Sequence, residues 1–161
     1  MRVTLPRLSL PALLSFLLLF VATSCGQIEA KNVVRPEIRD VSIQALLAEP
    51  WDSADVTLSL SLEAGENAGG KTVRLEYVRL FSGSSWRTNN PALELQLRLP
   101  DDTEKPFDSG EVREVCLEGY TPNDDLYPYC GQTMRLLIAT RTSGAHEMAG
   151  AAADVLIECV D

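Results

Sequence analysis

At 161 residues the chain has the length of one ordinary domain, enough to bury a real core. It carries 14 Lys and Arg against 23 Asp and Glu, a formal charge of −9, which argues against nucleic acid and anionic lipid headgroups as partners. One histidine, His146 among small residues, and four cysteines without a CxxC pair argue against a zinc centre.

Residues 1–11, MRVTLPRLSLP, hold Arg2 and Arg7 and no acid, and lead into the apolar run 12–22, ALLSFLLLFVA. That layout is a signal peptide. The run is about half the roughly 20 residues a helix needs to cross a bilayer, so a permanent span is the weaker reading. Directly after it, Ala22-Thr23-Ser24 places small residues before Cys25. Residues 1–26 resemble the signal sequence and lipobox of bacterial lipoproteins. In that family the cysteine thiol takes a diacylglyceryl group and a peptidase cuts before it. The resemblance therefore implies that residues 1–24 are removed and that Cys25 becomes a lipidated first residue. Two or three acyl chains on one residue make a durable anchor where one does not, so the membrane is the first expected partner. The family prefers Leu where this chain has Ala22 and Ala or Gly where it has Ser24, and ordinary signal peptidase also accepts Ala-x-Ser. Gly26, where an Asp would favour retention at the inner membrane of a proteobacterium, implies the outer membrane.

Residues 25–36 then read as the lipidated end and a short spacer closing at Pro36, with a folded domain over 37–161. A strand is predicted over 38–47, with Val41, Ile43, Ala45 and Leu47 inward. The clearest period of two follows, Val56, Leu58, Leu60 and Leu62 alternating with Thr57, Ser59 and Ser61. A third strand covers 72–81 through Val73, Leu75 and Tyr77. In 91–100, bounded by Pro91 and Pro100, Leu93, Leu95, Leu97 and Leu99 share one face and Glu94, Gln96 and Arg98 the other. Further strands are expected at 111–118, 133–141 and 154–160. Of these, 134–140, MRLLIAT, is apolar on both phases and suits a central position. Gly, Asn, Asp and Ser at 65–70, 82–85, 88–91 and 101–110 mark the connections. No stretch after residue 30 has a capped helical period.

Seven short strands predict an all-β fold, a two-layer antiparallel β-sandwich, with a small closed barrel as the alternative. In strand count and spacing the chain resembles immunoglobulin and fibronectin type III domains. The Cys, Trp and Tyr landmarks of antibody domains are missing, so no functional residue carries over.

An exported chain permits disulfides. With Cys25 lipidated, Cys116, Cys130 and Cys159 leave one thiol unpaired. The preferred bridge is Cys116 to Cys130, closing a loop of about 15 residues worth roughly 3 kcal/mol in the chain-entropy model, with Cys159 as a core residue. Pairing of Cys159 with either of the others is the alternative, open when the last strand lies beside that loop.

No GxSxG, HExxH, SxxK or phosphate-binding glycine loop occurs, and no catalytic residue or cofactor is expected. Asp101 and Asp102, with Glu104 and Asp108, and Asp124 and Asp125 beside Asn123, are weak calcium candidates: hard cations want oxygen clusters, yet neither run has the DxDxDG spacing. The most suggestive surface is the loop 119–130, where Tyr120, Tyr127 and Tyr129 are interleaved with prolines and acids. Rings on a constrained loop make a low-entropy contact surface, unless they fold back over the core. Trp51 and Trp86 carry the same ambiguity. The expected function is a non-enzymatic binding or structural module of the bacterial envelope whose partner is a protein or a glycan. An enzyme or accessory subunit acting on an envelope polymer, and a calcium-stabilised adhesion domain, are the alternatives.

Overall fold

The computed structural model describes residues 31–46 and 53–160. Cys25, with the segment before it, and Trp51 lie outside the described residues. Seven strands form the fold: β1 (Val34–Leu46), β2 (Ser53–Ala64), β3 (Val73–Phe81), β4 (Leu93–Leu95), β5 (Val112–Pro122), β6 (Thr133–Thr142) and β7 (Met148–Val160). They make one sheet in the order β4-β3-β6-β7-β1-β2-β5, curled into a half-barrel. Every neighbouring pair is antiparallel except β1 and β7, which run parallel over Ile43–Leu46 and Ile157–Val160. The sheet is therefore mixed, a correction to the antiparallel expectation. A chain that reverses at each of six connections sends its first and seventh strands the same way, and curling brings them together.

The alternation read from the sequence fills the core. Val56, Leu58, Leu60 and Leu62 of β2, Leu136 and Ile138 of β6, and Val155 and Ile157 of β7 join one buried cluster. Each fully buried Leu or Ile contributes roughly 1.5–3 kcal/mol. The run 134–140 does form a central strand, and Ala139, on the phase opposite Ile138, is buried as well. β4 is far shorter than its leucine pattern. Its ladder with β3 ends at Leu95, yet Leu97 stays buried, because the chain there crosses from the β3 side to the β5 side and sets Leu97 against Gly119. β7 starts six residues earlier than predicted, at Met148, through a Gly-Ala-Ala-Ala run of low strand propensity that the ladder with β6 holds extended.

Each strand runs between two poles. β1, β3, β5 and β7 begin at the near pole, where β2 and β6 end; the far pole holds their other ends. At the near pole the described chain is pinned from Lys31 onward, and Val34–Pro36 already belong to β1. The Lys31 and Val33 carbonyls accept from Asn67 and Gly65 at 2.8 and 3.0 Å. The buried amide of Val34 donates to Thr142 Oγ1 at 2.8 Å. β1, with 13 residues at about 3.3 Å each, carries the chain roughly 40 Å to the far pole.

Candidate functional site

The far pole holds Tyr120, Tyr127, Tyr129 and Trp86 of the aromatic residues singled out in the sequence. Between β5 and β6 the chain makes one helical turn, Asn123–Leu126, then a tighter turn, Tyr127–Tyr129. Leu126 is completely buried and plugs the end of the core, and Tyr129 packs half-buried against the same cluster. Tyr127, one position on from Leu126, is thrown outward and left 51% exposed. The fold-back reading thus describes Tyr129, whereas Tyr127 stands clear of the core. The backbone of Tyr120 lies within β5, opposite Asp55 of β2; its ring lies outside the described residues.

Three restraints fix the Tyr127 turn. Pro128 removes one degree of backbone freedom. Cys130 N donates to the Tyr127 carbonyl at 3.0 Å, and Gln132 Nε2 donates to the Pro128 carbonyl at 3.0 Å. The third is a disulfide, and it corrects the preferred pairing: Cys130 is bonded to Cys159, not to Cys116. The end of β7 lies beside the loop, as the alternative required. Gly131 N donates to the Ile157 carbonyl at 2.9 Å, and Ile157 N donates back to Gln132 at 3.0 Å. Cys159 is therefore no core residue. Cys116 is a free thiol exposed on β5, its neighbours Val115 and Leu117 taking the inward phase.

Trp86 stands at the same pole, in the turn Ser85–Thr88 that follows β3. Asn89, at φ 51° and ψ 40°, closes this turn by donating to the Trp86 carbonyl at 3.3 Å. The indole is 41% exposed, with the guanidinium carbon of Arg135 at 5.4 Å and that of Arg87 at 5.3 Å from its ring centroid. Arg135 is oriented in turn by Asp154 at 3.0 Å. Leu156, 52% exposed, sits on β7 opposite Thr133 at the start of β6. The sequence reading missed Leu156 and Arg135. Both occupy outward phases of strands whose inward residues, Val155, Ile157, Met134 and Leu136, are the apolar signal.

The acidic runs are not drawn into one place. Asp101 and Glu104 are exposed in the turn Asp101–Glu104, and Asp125 is exposed at the far pole. The side chains of Asp102 and Asp124 lie outside the described residues. Among the described residues no group of three or more His, Cys, Asp and Glu is arranged to hold a metal ion. The far pole thus offers Tyr127, Trp86 and Leu156, three of the five large apolar side chains that stand exposed among the described residues. Two turns set the aromatic pair, and the Arg135–Asp154 ion pair adjoins the indole. Chemically this is equipment for contact.

No family model matches the chain. Comparison with curated proteins and with solved structures likewise returns no match.

Proposed function

We propose that the protein is a lipid-tethered, non-enzymatic binding module of the bacterial cell envelope, presenting its far pole to an envelope protein. The observation that carries the reading is the exposed Tyr127 on a turn fixed by Pro128 and the Cys130–Cys159 bridge, with Trp86 exposed at the same pole. Aromatic side chains on rigid turns lose little entropy on binding and recur as anchors in protein interfaces. The anchor reading rests on Ala22-Thr23-Ser24-Cys25. It fits a chain that comes into the fold at the pole opposite these rings, which would point them away from the membrane and, by the Gly26 resemblance, place the module at the outer membrane.

The strand connectivity supports an immunoglobulin-like or fibronectin type III-like sandwich as the finer architecture. One ladder runs β1-β2-β5, another β4-β3-β6-β7, and the end of β7 joins β1 in parallel. In such domains the turns at the two ends of the sandwich are the customary binding surfaces.

The test is affinity capture from native membranes with wild type, Tyr127→Ala and Trp86→Ala baits, alongside thermal melts. Expected are a captured envelope protein lost in both variants and melting curves that overlay. Capture unaffected by either change, or melts that collapse, would refute the assignment. Capture of a glycan in place of a protein would move the partner to the other class. The mass of the N-terminal peptide from membrane-purified protein tests the anchor: a diacylated or triacylated Cys25 is expected, and an unmodified cysteine overturns it.

A further inference from the structure

β1 and β7 share a ladder only where Ile43–Leu46 meets Ile157–Val160. Toward the near pole no ladder joins them, and a cleft of about 750 Å³ opens between the start of β1 and the β6–β7 turn. Its walls differ. On the β1 side stands Pro36, which has no amide to give. On the other side β7 lines the opening at Met148–Gly150, where its ladder is with β6 alone and its outer backbone edge is unpaired. The inward residues here are Ala149, Ala151 and Ala153, all only half-buried, which leaves the flank of the sheet uncovered.

Arg35, Lys71 and His146 line the same cleft, with Glu147 as its one acid. Arg35 makes no ion pair among the described residues, and the Lys71 ammonium donates at 3.0 Å to a backbone carbonyl, that of Asn32. In a chain of formal charge −9, a cleft lined by Arg35 and Lys71 against the single acid Glu147 is locally cationic, with Glu63 of β2 standing across from Arg35 on its other side.

We propose that this cleft takes a short extended peptide from a partner protein, which adds as a strand to the open edge of β7 and sets an acidic side chain against Arg35 and Lys71. Strands lie about 4.8 Å apart, rise about 3.3 Å per residue and fill a layer about 10 Å deep, so each residue needs roughly 160 Å³ and the cleft holds four or five. A second copy of the chain would bring its β7 edge with a whole sheet behind it, whereas the volume of the cleft holds only a few residues of extended chain. The site is separate from the far-pole aromatic surface and does not depend on it.

The probe is the capped peptide Ac-Val-Glu-Val-Glu-Val-amide, titrated into the full mature chain by calorimetry and followed by amide chemical shifts. Saturable binding is expected, with the largest shifts in residues 146–151. Arg35→Gln with Lys71→Gln weakens it about tenfold or more, the loss expected when charge-assisted contacts go, while the melting temperature is held. Replacing both glutamates of the peptide by glutamine weakens it similarly, and N-methylating its backbone abolishes it. Equal binding of the N-methylated peptide would eliminate strand addition. Equal binding of the glutamine peptide, or full competition by millimolar inorganic phosphate, would leave no recognition of an acidic peptide and overturn the proposal.

Discussion

Replacing Cys130 and Cys159 together by serine removes the one cross-link that ties the far-pole turn to the end of β7. The two residues are separated by 29 positions, and a closed loop of that size restricts the unfolded chain by about 3.6 kcal/mol in the chain-entropy treatment. A folded unit of roughly 130 residues has an unfolding entropy near 0.27 kcal/mol/K, so the melting temperature should drop by about 13 °C. Urea titrations of the oxidised wild type and the double variant, followed by circular dichroism, give the difference directly. The slope should fall little in the wild type and rise in the variant, whose unfolded state exposes more surface. A loss under about 1 kcal/mol would refute the reasoning, since the bridge would then close no costly loop. So would a Cys116 resistant to alkylation in the oxidised protein. Cys116→Ser, on an exposed strand position, should change stability by less than about 0.5 kcal/mol.

Leu126→Ala empties a fully buried site under the far-pole turn and should cost about 2–5 kcal/mol, whereas Tyr127→Ala, next in sequence and exposed, should stay within about 0.5 kcal/mol; chemical denaturation separates the two. Thr142→Val keeps the shape but withdraws the hydroxyl that accepts from the buried Val34 amide, and should cost about 1–3 kcal/mol while opening residues 31–36 to hydrogen exchange. Unchanged exchange there would remove Thr142 from the pinning of β1. The carboxyl of Glu76 is held below its ordinary range by hydrogen bonds from Arg141 and then Arg74, and that of Glu111 by Arg113 and the Asp108 amide. Both bind protons less readily folded than unfolded, so their contribution is complete above the unfolded carboxylate range, near pH 4.3, and is lost as pH falls through the lower folded values. Glu76→Gln with Glu111→Gln should therefore lower stability at pH 7 and flatten its decline in acid. Parallel curves for variant and wild type from pH 2 to 7 would contradict this.

The sequence made the strands legible where leucine and valine alternate with polar residues: β2 came out almost to the residue, because each of its side chains reports its own face. β7 was cut short because Gly150-Ala151-Ala152-Ala153 has little local preference, and only the neighbouring β6 makes it a strand. The reverse holds for Leu97 and Leu99, whose burial alternates like a strand's after the ladder has ended. The parallel meeting of β1 and β7 lies beyond any local reading, since it joins residues more than a hundred positions apart. The disulfide follows from it: with the end of β7 brought beside the far-pole loop, Cys159 reaches Cys130, while Cys116 sits on an outward phase of β5. For the same reason Tyr127 was legible as an aromatic on a constrained turn, and its separation from Tyr129 into outer and inner rings was not.

The parallel rungs between β1 and β7 also decide how the molecule bears load. Under the proposed N-terminal tether, a pull on the Tyr127 turn would pass through the Cys130–Cys159 bridge into the end of β7, while the tether would hold β1 from its start at the other pole. The two strands are then drawn lengthwise in opposite directions. Their hydrogen bonds from Ile43–Leu46 to Ile157–Val160 are strained together instead of being unzipped one after another. A partner tugging on the tip would meet a stiff, abruptly yielding joint, with the strength set by shear across those few rungs and by the ladder that fastens β1 to β2.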